Sequence, residues 1–388
     1  MAPQYLVTRP LMPPLESVLP ALAEMWDDQW LTNGGAFHAE LERRLAEWLG
    51  VRHVALFANG TLALAGALRV ALGAPEPGDE VITTPYTFVA TAQAIELAGY
   101  TPRFVDIEPD SPNLDPAAVA AATGPRTRGV MPVHCYGIPA DTRAFDRYTR
   151  RTGIPVVYDA AHAFGARHDG AALAAHGRLS ALSFHATKIF HTAEGGGVVA
   201  HTPEDHAALA RLRNFGITGQ GITVDWGVNA KMSELSAALG LQVLPLVADE
   251  IARRGEIARR CATGLADLPG LRVLGPIEDA GHNHAYLPVL VDDASTLSRD
   301  ELHDALAERG VHARRYFHPL LTDMPYFVER GHRGAFPHAQ RLSSRILCLP
   351  LHGRLTDADL QTILERIHDA YTASAPVRTV VEPASAAL

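Results

Sequence analysis

The sequence predicts an α/β protein, with a mostly parallel sheet wrapped by helices and a smaller α+β unit after it. Three observations predict this. Between residues 53 and 201, short apolar runs alternate with helical patterns across short connections, as parallel strands joined by crossover helices do. After about residue 230 the alternation gives way to long helical runs and then scattered short strands. The chemically interesting polar residues fall just after the strands, where open sheets of this kind bind ligands.

Leu15, Leu19, Leu22 and Trp26 lie at helical spacing. Phe37, Leu41, Leu45 and Leu49 repeat the pattern up to Gly50, a stop signal. The stretch from Leu31 to Gly35 reads as a loop. Strands are expected over His53 to Ala58, Glu80 to Thr84, Pro102 to Ile107, Gly129 to His134, Pro155 to Asp159, Leu179 to Phe184 and Gly197 to His201. Helices are expected over Thr61 to Leu72, Thr87 to Leu97, Asp115 to Ala122 and Asp141 to Arg151. Two long helices, Met232 to Asp249 and Ile251 to Leu268, then lead into strands Leu271 to Leu274 and Ala285 to Val291. Helices Ser298 to Arg309 and Asp357 to Tyr371 complete the pattern. A large domain over residues 1–247 and a small C-terminal domain over 248–375 follow, with a flexible tail over 376–388 that is rich in Ala, Ser, Pro and Val.

The 388 residues carry a net charge of −9, which argues against coating a nucleic-acid polymer. Cys135, Cys261 and Cys348 are odd in number and widely spaced. They fit neither a disulfide framework nor a zinc site, so a reducing cytoplasm is expected. No signal peptide is visible and no window reads as long and apolar enough to span a membrane. The 19 histidines include no His-Glu-x-x-His pair, and no metal site is expected.

Four segments at strand ends carry chemistry. Ser183-Phe184-His185-Ala186-Thr187-Lys188 ends a strand and turns through a loop bearing one lysine, followed by Gly195-Gly196-Gly197. A lysine there is a candidate Schiff-base residue, since burial lowers its pKa. Asp159 closes the apolar run Val156-Val157-Tyr158, where a buried carboxylate is costly without a partner. A protonated pyridine nitrogen is such a partner, and His162 could reach a ring substituent. Ala58-Asn59-Gly60-Thr61 opens a helix whose free N–H groups suit a phosphate. Phe88, after Pro85-Tyr86-Thr87, could stack on a flat heteroaromatic ring. Singly, each has a plainer explanation: a surface lysine, a helix cap, a core phenylalanine. Together they meet the separate demands of pyridoxal 5'-phosphate (PLP).

These residues resemble the DegT/StrS sugar aminotransferases. The likeness runs through Asn59-Gly60-Thr61, Thr87 to Thr91, Phe104-Val105-Asp106-Ile107, His134-Cys135-Tyr136-Gly137, Asp159 to Gly165 and Ser183 to Lys188. It continues through Asn229 to Leu235 and Arg315 to Leu320, spanning roughly residues 25–370. The resemblance implies an aspartate-aminotransferase-like (PLP fold type I) architecture with a seven-stranded sheet. It implies a homodimer with sites at the subunit interface and L-glutamate as amino donor. It assigns Lys188 to the cofactor aldehyde and Asp159 to the ring nitrogen. Gly60, Thr61 and Ser183 would hold the phosphate, Phe88 would cover the ring, and Asn229 would reach the phosphate from the neighbouring subunit. His162 stands where many relatives have glutamine. Asn33, Tyr316 and His318 are the expected substrate contacts. A dehydrating subgroup has histidine in place of the lysine, so Lys188 favours transamination. Trp30 to His38 and Asp159 to Gly165 are most like transaminases of a nucleotide-linked 4-keto-6-deoxy sugar, here dTDP-4-keto-6-deoxy-D-glucose.

Residue chemistry leaves a PLP lyase, a dehydratase or a 3-keto-sugar aminotransferase on a similar fold open. A PLP-binding regulator without turnover is a rival of another class. Against it, the chain is acidic and has no helix-turn-helix pattern.

Overall fold

The computed structural model describes residues 4–219 and 221–373. The expected tail over 376–388 lies outside the described residues. Seven strands build the large sheet: His53–Phe57 (β1), Glu80–Thr83 (β2), Thr101–Phe104 (β3), Thr127–Val130 (β4), Val157–Asp159 (β5), Leu179–Ser183 (β6) and Gly196–Ala200 (β7). Their order is β3-β2-β4-β5-β6-β7-β1, with β4 and β5 joined through parallel bridges at Val130–Val156 and Val133–Asp159. Only β7 is antiparallel, lying between β6 and β1. Apart from the edge strand β3, which is half exposed, the strands are mostly buried, as a sheet covered on both faces requires, and hence read as apolar runs rather than alternations.

Helices Leu15–Asp28 (α1), Ala36–Leu49 (α2), Gly60–Leu72 (α3) and Val89–Leu97 (α4) agree with the periodicity to within two residues. The start of α4 falls at Val89 rather than Thr87. The chain before it turns instead, with the Tyr86 N–H donating to Thr84 Oγ1 at 3.0 Å. Strand β4 ends at Val130, short of the expected His134. Pro132 has no N–H to continue the ladder. Helix Pro203–Leu212 and strand Ile346–Leu349 were not expected from the sequence.

The C-terminal part forms a second sheet of Leu271–Val273 (β8), Leu287–Val291 (β9) and Ile346–Leu349 (β10), antiparallel in that order. Helices Val247–Leu265, Arg299–Glu308 and Asp357–Ala373 share a core with this sheet. Tyr5–Leu6 pairs in parallel with Val311–His312, so this early strand lies on the smaller unit. We propose that the two units divide at Val247, with Tyr5–Leu6 added to the smaller one. A single apolar cluster runs through both, from Leu41 and Phe184 to Phe317 and Cys348. It sets the relation of the two units around the cleft between them.

One expectation needs correction. Glu234–Leu265 is a 32-residue helical run with a window of mean hydropathy 1.4, long and apolar enough by length and composition to cross a membrane. Its apolar character has a packing origin in part, since Ala237, Ala238, Gly240, Val243 and Val247 are buried. A 3₁₀ turn at Leu244–Leu246, carrying Pro245, interrupts it. Beyond that turn lies a buried Arg254–Glu250 ion pair, Nε to Oε1 2.6 Å.

Candidate active site

The carboxyl ends of β1, β2, β5 and β6 open on one rim, and the residues just beyond them line a cavity of about 340 Å³. That volume suits a small cofactor. Eight of the eleven residues expected from the sequence border it: Gly60, Thr61, Phe88, Asp159, His162, Ser183, Lys188 and Tyr316. Asn33, Asn229 and His318 do not.

Asp159 ends β5 and is 4% exposed. Its Oδ1 accepts the Ala161 N–H at 3.0 Å and its Oδ2 accepts the Thr91 hydroxyl at 2.7 Å. Thr91 stands in the first turn of α4, in contact with Thr87 Oγ1 at 2.8 Å. Among the described residues, no ion pair reaches this carboxylate. Burial raises its pKa, and the two hydrogen bonds and Lys188 pull the other way. A buried carboxylate of this kind calls for a cationic partner from the cavity.

Lys188 supplies the opposite end. Burial lowers its amine from the usual 10.5 to about 8, against the opposing pull of Asp159. Nζ lies 3.4 Å from the Tyr286 hydroxyl and 5.7 Å from the Tyr286 ring centre. His162 is buried, and burial holds its imidazole well below the usual range. Its Nδ1 accepts the Tyr136 N–H at 3.1 Å, so the neutral ring carries its hydrogen at Nε2. The His162 and Tyr286 rings meet edge to face, centres 4.8 Å apart.

The third corner is the start of α3. Asn59 caps it, its side chain accepting the Leu62 N–H at 2.9 Å. The N–H groups of Gly60 and Thr61 precede the first helical bonds and remain for a ligand anion. A Cβ at Gly60 would stand 3.0–3.1 Å from Ser183 Cβ and Oγ. The absence of a side chain there lets Ser183 join the same corner. At Gly196, a Cβ would strike the Asn59 carbonyl at 2.5 Å, so glycine also permits β7 to close against this turn.

Tyr316 reaches the cavity from the smaller unit. Its main-chain carbonyl accepts hydroxyl hydrogen bonds from both Tyr86 and Tyr136. His318 is exposed and bonds through Nδ1 to Ser343 Oγ at 3.2 Å. It lines an adjoining cleft with Arg314 and Arg315, and Phe88 and Tyr316 border both spaces. Asn33 and Asn229 are exposed. The side chains of Thr91, Tyr286, His185 and Glu194 were not singled out from the sequence. Thr91 sits one helical turn beyond Thr87, the only signal that could have pointed to it. Tyr286 comes from β9's approach and carries no local pattern.

A buried carboxyl, a lysine of lowered basicity and an anion-ready helix start around one cavity fit PLP, which has a basic ring nitrogen, an aldehyde and a phosphate. The matching family description, DegT/DnrJ/EryC1/StrS aminotransferase, covers residues 16–368. The dTDP-4-amino-4,6-dideoxy-D-glucose transaminase of Shigella dysenteriae is 41% identical over 363 residues, 94% of this chain and 98% of that protein. Its Escherichia coli counterpart is 37% identical over 365 residues, 90% of this chain and 94% of that one. A crystal structure of DesI in the presence of its TDP-sugar product superposes with a TM-score of 0.89, at 36% identity and over 96% of this chain and 95% of that chain. With the cavity chemistry and these likenesses in agreement, the chain belongs to the DegT/DnrJ/EryC1/StrS aminotransferase family of PLP-dependent enzymes.

Proposed function

We propose that the enzyme moves an amino group from L-glutamate to C4 of a nucleotide-linked 4-keto-6-deoxy sugar, dTDP-4-keto-6-deoxy-D-glucose. The observation that carries the aminotransferase chemistry is the pairing of Asp159, buried without a cation, with Lys188 on the same cavity. The sugar and nucleotide come from the transaminases of Shigella dysenteriae and Escherichia coli, which are similar over nearly the whole chain.

Bound PLP supplies an aldehyde that condenses with amines and a protonated ring that draws electrons from the adjacent carbon. Lys188 would hold the aldehyde, and its amine would take the Cα proton of the donor. A lowered amine pKa suits that exchange near neutral pH. Asp159 would keep the ring nitrogen protonated, with its carboxylate fixed by Thr91 and the Ala161 N–H, and the His162 Nε2–H would donate to a ring oxygen. The Gly60 and Thr61 N–H groups and Ser183 would hold the phosphate, and Phe88 would cover the ring. Tyr316, His318 and Asn33 contact the sugar nucleotide.

The enzyme works as a cytoplasmic homodimer, with Asn229 reaching the partner's phosphate site. Leu15, Leu19, Trp26, Trp30 and Leu31 on the N-terminal segment and Leu235 beside it are all exposed, an apolar surface of the kind a partner covers.

The test is a panel of TDP-, GDP- and UDP-linked 3- and 4-keto-sugars with glutamate, products read by mass and NMR. Amination at C4 of the TDP sugar is expected; amination at C3, or none, rejects the assignment. Borohydride reduction should fix the cofactor on Lys188, and Lys188→Ala should lower the glutamate half-reaction at least roughly a thousandfold.

A further inference from the structure

We propose that His185 and Glu194 recognise a ring hydroxyl of the sugar and so help set which sugar is accepted. The inference rests on the nucleotide-sugar reading given above. Both residues border the same cavity as Lys188, and His185 precedes that lysine by three positions.

The His185 ring is held by its own loop. Its Nδ1 accepts the Thr187 N–H at 3.2 Å and meets Thr187 Oγ1 at 2.8 Å. The neutral ring therefore carries its hydrogen at Nε2. That atom faces Glu194 Oε1 at 3.7 Å. The gap is too wide for a good hydrogen bond, but an oxygen about 2.8 Å from each atom can sit beside the pair and reach both. Such an oxygen must accept from the imidazole and donate to the carboxylate, which a hydroxyl does and a carboxylate does not. The Glu194 backbone is pinned in turn, its carbonyl accepting the Thr192 hydroxyl at 2.8 Å. Among the described residues no Lys or Arg forms an ion pair with Glu194, and the group facing its carboxylate is the His185 ring. The charge of Glu194 thus stays available to a neutral polyol and opposes the two carboxylates of glutamate.

The experiment measures both half-reactions of the holoenzyme, glutamate first and then the TDP-linked 4-keto-6-deoxy sugar, together with its 2-deoxy and 3-deoxy counterparts. Glu194→Gln and His185→Phe are compared with the parent. Loss of one hydrogen bond to a charged group should cost roughly ten- to hundredfold in kcat/KM for the full sugar. One deoxy sugar should cost the parent a similar factor. The two losses should overlap, so that Glu194→Gln barely distinguishes that deoxy sugar from the full one. Titration calorimetry of the amino-sugar product should show the same overlap in Kd. Losses that multiply, or an equal fall in the glutamate half-reaction, overturn the proposal. A parent that gives no glutamate half-reaction overturns the reading beneath it, and this one with it.

Discussion

Lys188 and Asp159 meet the same cavity with opposite demands on burial. The lysine loses basicity and the carboxyl gains it, each chiefly because water is excluded. For Lys188 the sign is definite. Its folded value near 8 lies below the usual 10.5, so between those values the unfolded chain binds a proton that the folded chain has released. Cofactor-free protein should therefore gain stability as pH rises through that window. Lys188→Met removes the burden: thermal melts should show it more stable than the parent at pH 7, with the advantage shrinking toward pH 10. Thr91 is the test on the carboxylate side. Thr91→Val deletes the 2.7 Å bond to Asp159 and should weaken PLP binding roughly tenfold or more, read by cofactor titration. Asp159 and Lys188 were legible because each sits at a strand end in a segment whose residue types match the cofactor's needs. Thr91 and Tyr286 were not. Their roles arise from a helical turn and from a separate unit folding over the cavity, and neither leaves a local pattern.

Two helices take their caps from distant carboxylates, and this is where the sequence pattern loses sight of the structure. Helix α2 has Gly35 before it and no side-chain cap of its own. Glu234, 1% exposed, fills that role: its carboxylate accepts the N–H groups of Gly35 and Phe37 at 2.9 Å and of His38 at 3.3 Å. Helix Pro337–Ser343 likewise lacks a local cap. Asp106, just after β3, accepts the N–H groups of His338 at 3.0 Å and Ala339 at 2.9 Å. Each carboxylate satisfies orphan donors and meets the positive end of the helix dipole. Asp106→Ala should cost about 1–2 kcal/mol. Glu234→Ala, which strands more buried donors, should cost about 2–3 kcal/mol. Denaturant melts followed by circular dichroism check both, and equal, negligible losses would reject the capping account. By contrast, helix Pro203–Leu212 carries its own local signals: Thr202 caps it, Pro203 opens it, and Glu204 and Asp205 fill the first turn. Strand Ile346–Leu349 carries none, because four buried residues span too short a period to separate strand from helix.

At the scale of the molecule, the expected α/β class and seven-stranded sheet follow from alternation that the strands could hardly hide, since both faces of the sheet are covered. The association of two chains is a different kind of inference. It draws on the exposed apolar residues of the N-terminal segment and on the exposure of Asn229 outside its own cavity. If Asn229 serves the partner's phosphate corner, Asn229→Ala and Lys188→Ala damage different sites in a mixed dimer. The Asn229→Ala chain keeps its lysine and receives an intact asparagine from the other chain, giving one complete site per mixed dimer. The opposite site carries both lesions. Random exchange makes half the dimers mixed, so about a quarter of all sites should be whole. Mixing the two weak variants after reversible dissociation should therefore restore activity to about a quarter of the parent's. The dimer population would be confirmed by sedimentation. Activity that stays at the average of the two separate variants would place Asn229 outside the partner's site.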